Sequence, residues 1–235
     1  MRLSILVTNT DRSAFAARHA PDGVKFAELV RLARPDWRLR AFDLPAGEWP
    51  GAIAEFDGAL ITGSPASVHC GAGWVAALCA TIRDMAARRQ KLFGACFGHQ
   101  AIALALGGAV GRNPGGWVHG LVANRVIGRA PWMAGLPDPL HLYASHSEQV
   151  TALPPGARVL TRSEGAVISG MAIGAHVYTT QHHPEMDETF IRDLTEEMAP
   201  VLGPKITARA RASFGRAADQ RAFAESLARF FESGE

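Results

Sequence analysis

The sequence predicts an α/β fold with a mostly parallel sheet, helices on both faces and a small added antiparallel β section. Three observations favour this fold. Apolar strand patterns alternate with helical patterns up to about residue 108, short β-like pieces separated by Gly and Pro follow up to about residue 178, and the chain turns helical again after Glu185. Alternating strands and helices are typical of a parallel sheet that is covered on both faces.

The first part of the chain supplies the predicted parallel strands and the helices between them. Strand patterns lie at residues 3–7, 37–42, 57–62 and 91–95. Helical patterns lie at residues 26–32, 74–89 and about 98–106. The first helix ends before Pro35 and the third before a pair of glycines, which are common helix stops.

The second part supplies the antiparallel section and two terminal helices. β-like pieces include residues 121–126 and 157–160, and helical patterns cover 187–198 and 220–231 with a proline and glycine break at 200–204. A chain of 235 residues is long enough to bury a substantial core. We expect a single domain over residues 1–235, with a core at about 1–190 and C-terminal helices at 191–235.

Composition and charge nominate no macromolecular partner. Apolar residues make up 48% of the chain and charged residues 20%, and the formal net charge is +2 with neutral histidines. No basic stripe with interleaved aromatic residues is present, so we expect no nucleic-acid binding. No apolar run approaches the roughly 20 residues that span a membrane, and the apolar start is too short for a signal peptide. We therefore expect a cytoplasmic protein with no membrane partner.

The cysteines and histidines do not indicate a metal site. The three cysteines, Cys70, Cys79 and Cys96, are odd in number and show no Cys-x-x-Cys spacing. This pattern favours neither a disulfide framework nor a zinc ribbon. Most of the histidines occur singly, without metal-ligand spacing. The glycine pairs do not form a phosphate-binding loop, and no cofactor is expected.

Cys96 lies between an apolar strand and a helix and is flanked by Gly94 and Gly98. This layout is typical of a nucleophile elbow, in which glycines permit the tight backbone. A helix N-terminus favours the thiolate that attacks, and the Phe97 N–H is placed to donate to an oxyanion. The alternative is that Cys96 is a small buried apolar residue. Cys70 and Cys79 lack such a context.

Two adjacent histidines compete for the role of acid–base partner. His182 and His183 follow a predicted strand and precede Pro184 and Glu185. Proline biases His183 toward an extended backbone, in which residues two apart point to the same side. Glu185 is therefore expected beside His183, where a carboxylate would orient the imidazole and stabilise its protonated form. His182 is interpreted as a packing or hydrogen-bonding residue.

Together, the two motifs resemble class I glutamine amidotransferases. The motifs are Gly94-Ala95-Cys96-Phe97-Gly98-His99-Gln100 and Gln181-His182-His183-Pro184-Glu185. Their separation, the earlier turn around Gly63 and the Ser145-His146-Ser147 segment are also similar, so the resemblance covers about residues 1–190. It implies a flavodoxin-like fold, as in a stand-alone glutamine amidotransferase similar to the amidotransferase domain of GMP synthase.

The resemblance also implies roles for further residues. The triad would be Cys96, His183 and Glu185, and the turn at Gly63 and Ser64 would supply a second oxyanion amide. Gln100 matches a position that contacts bound glutamine in relatives and lies one turn beyond Cys96. Ser145 and His146 resemble the end of a strand at the substrate pocket, although a loop-capping role is an equal alternative. Gly115, Gly116 and Trp117 form either a pocket wall or a turn with a packed tryptophan.

The implied reaction is hydrolysis of the glutamine side-chain amide through a γ-glutamyl thioester, which releases ammonia and glutamate. The partners would be glutamine or another γ-glutamyl compound, and a separate synthetase subunit that accepts the ammonia. One alternative keeps the triad and cleaves other amides, as a γ-glutamyl hydrolase or peptidase. A second alternative is a binding or regulatory subunit without turnover.

Overall fold

A computed structural model describes residues 1–234 of the chain. The strands are β1 Arg2–Val7, β2 Arg38–Asp43, β3 Gly58–Ile61, β4 Lys91–Ala95, β5 Ala109–Arg112, β6 Val118–Val126, β7 Leu140–His146, β8 Glu148–Ala152, β9 Ala157–Ser163, β10 Ala166–Ile173 and β11 Val177–Thr180. The helices are α1 Asp22–Arg31, α2 Gly73–Ala87, α3 Phe97–Ala105, α4 Glu188–Ala212 and α5 Gln220–Glu232. Every strand and helix pattern found in the sequence coincides with one of these elements to within a few residues, apart from the ends of α1 and α4.

Within residues 1–234, the main sheet has nine strands in the order β2-β1-β3-β4-β11-β10-β9-β6-β7. Its first five strands are parallel, and β10, β9, β6 and β7 continue it with antiparallel pairings. The sequence predicted an added antiparallel β section. The structure shows that most of this section extends the main sheet. A separate two-stranded sheet pairs β5 with β8.

Side chains alternate between the two faces of the parallel strands and bury separate helices on each face. On one face, Leu3 and Leu60 belong to a cluster that includes α1 and α5 residues such as Phe26. On the other face, Leu6 and Ile61 pack in a cluster with α2 and α3. The fold is therefore the flavodoxin-like α/β arrangement that was predicted, with helices on both faces.

The C-terminal helices differ in one respect from the sequence prediction. A helix end near residue 198 and a break at 200–204 were expected; Gly203 has a non-helical φ of 74° and ψ of 167°, and a second helical stretch then runs to Ala212. The predicted proline and glycine break is therefore present, and what the sequence did not predict is the second helical stretch after it. Within residues 1–234, none of the helices is long and apolar enough to cross a membrane.

Candidate active site

Three neighbouring parallel strands bring the predicted residues to one edge of the sheet. β3 precedes Gly63, β4 ends one residue before Cys96, and β11 ends three residues before His183. β4 lies between β3 and β11 in the sheet. The carboxyl ends of parallel strands are where open α/β sheets place their sites. The turn, the cysteine and the histidine therefore converge there.

Cys96 has the backbone of a strained elbow. Its φ is 49° and its ψ is −104°, a conformation that costs a non-glycine residue on the order of 1–3 kcal/mol. The Cys96 N–H donates to Thr180 O at 2.9 Å, and the Gln100 N–H donates to Cys96 O at 3.0 Å. These bonds hold the sulfur at the N-terminus of α3, where the helix dipole favours a thiolate.

The flanking glycines are required by close backbone packing. A Cβ at Gly94 would lie 2.6 Å from the Gly98 carbonyl, and a Cβ at Gly98 would lie 2.5 Å from Ile61 O. The Gly98 N–H also donates to Thr62 O at 3.1 Å. These glycines were expected to permit a tight turn, and they also let α3 approach β3.

His183 and Glu185 form a buried pair beside the cysteine. His183 Nδ1 lies 2.7 Å from Glu185 Oε1, and both side chains are almost fully buried. Burial opposes protonation of the imidazole, but the negative charges of Glu185 and of the Cys96 thiolate outweigh it and raise the pKa of His183 well above its usual value. A hydrogen bond with Cys96 supports the same direction. Since Nδ1 is engaged by Glu185, Nε2 is left for the sulfur.

The turn after β3 lies directly against these side chains. A Cβ at Gly63 would lie 2.8 Å from His183 Cε1 and 3.6 Å from Cys96 Cβ. In the part of the chain that the structure describes, no group accepts a hydrogen bond from the Ser64 or Phe97 backbone N–H. Both amides thus remain available as oxyanion donors.

Thr8, at the end of β1, fixes this turn and was not singled out from the sequence. Its hydroxyl lies 3.0 Å from both Thr62 O and Gly63 O. Its backbone N–H donates to Thr62 Oγ1 at 3.0 Å. The side chains of Thr8 and Thr62 are fully buried. A polar residue directly after a buried strand is the signal that could have identified Thr8.

A cavity of about 340 Å³ opens over Cys96. Its polar lining includes Ser64, Ser67, Gln100 and Glu148. Its apolar lining includes Phe15, Met186, Phe190, Leu194 and Met198. This volume falls in the range of about 300–1,000 Å³ that is usual for small-molecule sites.

Comparison with known protein families identifies the family of this chain. The family model described as "Glutamine amidotransferase class-I" matches residues 40–193, a range that includes β3, β4 and β11. The chain belongs to the class I glutamine amidotransferase family.

Proteins with similar sequences include gamma-glutamyl peptidases and synthases. Gamma-glutamyl peptidase 3 of Arabidopsis thaliana is 26% identical over 208 residues, which cover 84% of this chain and 83% of that protein. Aminodeoxychorismate synthase of Streptomyces griseus is 30% identical over 82% of this chain but only 26% of its own length. GMP synthase of Aeropyrum pernix is 31% identical over 51% of this chain and 23% of its own length.

Solved structures show the same fold. A glutamine amidotransferase from Methylobacillus flagellatus superimposes with a TM-score of 0.79 at 21% identity, over 100% of this chain and 97% of that one. A glutamine amidotransferase from Thermotoga maritima gives a TM-score of 0.77 at 17% identity, over 98% of both chains. At these identities the likeness concerns the fold alone.

The positions that family resemblance suggested for substrate contact all line the cavity. Gln100 Nε2 already donates to Glu148 O at 3.0 Å, which leaves its carbonyl oxygen for a ligand. Ser145 Oγ lies 3.1 Å from His119 Nδ1. His146 donates from Nδ1 to Glu148 O at 2.9 Å, and its ring centroid lies 5.5 Å from that of His182. The His146 ring therefore has a clear role in ordering the loop after β7.

Gln181 is a second residue to which sequence reasoning gave no role. It is fully buried, and its Nε2 donates to Cys96 Sγ at 3.7 Å. Its Oε1 accepts from Gln100 Nε2 at 3.3 Å. A short chain of amides thus links the cavity wall to the sulfur. The sequence did contain a clue to the place of Gln181, because it lies two residues before His183 in the second motif.

Asp22 also lines the cavity and was not singled out from the sequence. Its carboxylate accepts from Asn9 Nδ2 at 2.9 Å and pairs with Lys25 Nζ at 3.2 Å. Burial raises the pKa of Asp22, the Lys25 charge opposes that rise, and the charge of Glu185 adds to it. The cavity therefore has a second carboxylate close to the His183–Glu185 pair.

The other cysteines lie outside the cavity. Cys70 is exposed and Cys79 is buried within the α2 cluster. Burial raises the pKa of the Cys79 thiol, and the nearby Arg83 only partly opposes this. Among the three cysteines, Cys96 alone lines the cavity.

Proposed function

We propose that Cys96, His183 and Glu185 form a catalytic triad that hydrolyses the side-chain amide of glutamine. The observation that carries this proposal is the 2.7 Å contact between His183 and Glu185 beside the strained Cys96 elbow. The raised pKa of His183 and its hydrogen bond with Cys96 support a thiolate–imidazolium pair.

In the proposed reaction, the Cys96 sulfur attacks the γ-carbonyl carbon and the oxygen becomes an oxyanion. The amides of Phe97 and of the Gly63–Ser64 turn donate to it. His183 then gives its proton to the departing nitrogen, the carbon–nitrogen bond breaks, and a γ-glutamyl thioester remains. Water that has lost a proton to His183 cleaves the thioester, which yields glutamate and the free thiol. The ammonia passes to a separate synthetase subunit.

A γ-glutamyl peptidase is the second candidate function. It is favoured by the relatives that match over most of both chains, which are named gamma-glutamyl peptidases. The two synthase relatives match over only 26% and 23% of their own lengths. The triad and the thioester would be the same, and the leaving group would be an amine instead of ammonia.

The test is glutamate release from glutamine and from a panel of γ-glutamyl amides, with ammonia and amines measured separately. Hydroxylamine should intercept the thioester as γ-glutamyl hydroxamate. Cys96→Ala should abolish both products, whereas Cys70→Ser, a change of an exposed cysteine, should leave them unchanged. A folded wild-type protein that forms neither product would contradict both candidates and favour a binding subunit.

A further inference from the structure

An apolar stripe runs along one wall of the cavity that holds Cys96. It consists of Met186, Phe190, Leu194 and Met198, each four residues from the next. The last three belong to α4, where this spacing places side chains on one face. Met186 is 9% exposed and the other three are half-buried. The α4 stripe is therefore an apolar surface inside a concave site.

The stripe is held in place by neighbours both outside and inside the cavity. Lys25 Nζ lies 3.4 Å from the centroid of the Phe190 ring, and the His19 ring lies 5.0 Å from it at nearly a right angle. The Phe15 ring, which also lines the cavity, lies 5.8 Å from Phe190. Met198 Sδ lies 3.7 Å from Ser145 Oγ. These contacts preorganise the wall for a ligand.

Glutamine has no group that suits this wall. Its α-ammonium and α-carboxylate need polar partners, because burying a charge against apolar side chains is costly. Polar side chains that line the same cavity, including Ser64, Ser67 and Gln100, can supply those partners. The leaving group from glutamine is ammonia, which is small and polar. The α4 stripe is thus left without a use when glutamine is the substrate.

The position of His183 determines which part of a larger substrate faces the stripe. In the proposed mechanism His183 protonates the leaving nitrogen, so that nitrogen lies on the His183 side of the sulfur. Met186 follows Glu185 directly, and both line the cavity. A substituent on the leaving nitrogen would therefore extend along the α4 stripe.

We propose that the α4 stripe is a subsite for an apolar or aromatic substituent on the leaving nitrogen. The preferred substrate is then a γ-glutamyl amide of an apolar amine, which is the second candidate function with its leaving group specified, and the conclusion rests on the proposed attack by Cys96. Cys96 forms the thioester as the amide bond breaks, and the amine departs with the proton from His183. Water then releases glutamate and restores the thiol.

The experiment compares three substrates with the full-length protein: glutamine, γ-glutamylmethylamide and γ-glutamylbenzylamide. Glutamate release gives kcat/KM for each. We expect the benzylamide to exceed the methylamide by about tenfold or more, as hydrophobic pockets discriminate by that order for small apolar groups. Leu194→Gln and Met198→Gln should each reduce the benzylamide-to-methylamide ratio several-fold. Val201→Gln, on the same helix at a position that is 66% exposed and outside the cavity, should leave the ratio unchanged.

Binding to Cys96→Ala, measured by calorimetry, separates this inference from the proposed function. Tighter binding of the benzylamide than of the methylamide supports the subsite even without turnover. Glutamine hydrolysis with no benzyl preference in rate or binding overturns the subsite and leaves the proposed function intact. A benzylamide-to-methylamide ratio that stays unchanged in Leu194→Gln and Met198→Gln also overturns the subsite. That result is expected if the stripe binds a partner protein instead of substrate.

Discussion

The two adjacent histidines of the second motif lie in opposite electrostatic environments. Burial lowers the pKa of His182 well below its usual value, and the charges of neighbouring histidines add to that effect. Neither ring nitrogen of His182 has a hydrogen-bond partner in the described chain. His183 instead has Glu185 and Cys96 beside it, and its pKa is raised. Of the two, His183 is the residue that can hold a proton for a leaving group.

Replacing His183 with Ala should lower γ-glutamyl amide hydrolysis by about a hundred- to ten-thousand-fold, because the thiol loses its base and the leaving nitrogen its acid. Glu185→Gln should give an intermediate loss, since the imidazole would lose the charge that stabilises its protonated form. His182→Ala should cost much less activity per folded molecule. Initial rates, with folding checked by circular dichroism, measure these losses. Near-normal activity in His183→Ala with collapse in a folded His182→Ala would overturn the assignment, and equal loss in both would mean that local structure dominates this turn.

Gln181 is expected to position and stabilise the Cys96 thiolate through its 3.7 Å contact with the sulfur. Gln181→Met keeps a similar length and removes the N–H donor. Because a hydrogen bond to a charged group is worth about 1.5–3 kcal/mol, alkylation of Cys96 at pH 7 should slow by roughly ten- to a hundred-fold. An unchanged alkylation rate in a folded Gln181→Met protein would mean that this contact does not stabilise the nucleophile.

At the scale of elements, the strand–elbow–helix unit depends on how closely α3 packs against β3. Gly98→Ala would place a Cβ 2.5 Å from Ile61 O, so the helix must shift away. We expect a loss of about 1–3 kcal/mol in the free energy of unfolding, together with reduced activity, since the shift moves Cys96. Urea denaturation and rate assays measure the two effects.

Gly73→Ala is the matched control for this change. Gly73 is the first residue of α2, and a Cβ there would have no atom within 4 Å. Unfolding free energy and activity should stay close to wild type. If Gly98→Ala behaves like this control, the close approach of α3 to β3 does not position the nucleophile.

α5 belongs to the same core as the parallel strands, and we propose on this basis that the C-terminal helices fold with the rest of the chain. Phe230 is fully buried, and its ring contacts Trp132, Tyr178 and Phe231. Phe230→Ala should lower the free energy of unfolding by about 3–5 kcal/mol in a single cooperative transition. Arg221→Ala, at an exposed position of α5, should have little effect. A separate early transition in Phe230→Ala would mean that α5 unfolds independently.

At the scale of the whole molecule, buried neutral histidines make stability depend on pH. Burial is the main cause that lowers the pKa of His99 to about 3 and those of His119 and His146 to about 4. Each of these histidines contributes its full stabilisation above about pH 6.5, the pKa of histidine in the unfolded chain. That contribution is lost as the pH falls toward the lower pKa of the folded protein. The pKa of His183 is raised in the folded protein, so its contribution to folding stability is already fully present at pH 6.5 and does not grow at lower pH. It therefore does not offset the loss from the other histidines.

Stability should therefore decline between pH 6.5 and 4, by up to about 1.4 kcal/mol per pH unit for each of these histidines. Urea unfolding at intervals across that range measures the slope. His99→Gln should make the slope shallower, because one titrating group is removed. A flat dependence in the wild-type protein would show that these histidines are protonated in the folded state.

Much of the fold could be predicted from sequence because its causes are local. Apolar periodicity and helix stops located the parallel strands and most helices, and the glycines around Cys96 indicated the elbow. Proline at 184 and the two-residue period of extended chain placed Glu185 beside His183, as the 2.7 Å contact shows. The break at residues 200–204 was also predicted, and Gly203 there is not helical, but the helical stretch that follows it up to Ala212 was not predicted.

By itself, then, the sequence determined the α/β class, the two motifs and the residues that carry the proposed chemistry. Only the tertiary structure decided which distant side chains meet them. Thr8 fixes the Gly63 turn from 54 or more residues away, Gln181 reaches the sulfur across 85 residues, and the α4 stripe faces the cavity from beyond the second motif. These contacts join segments far apart in the chain, and no local pattern encodes the sheet order that brings them together.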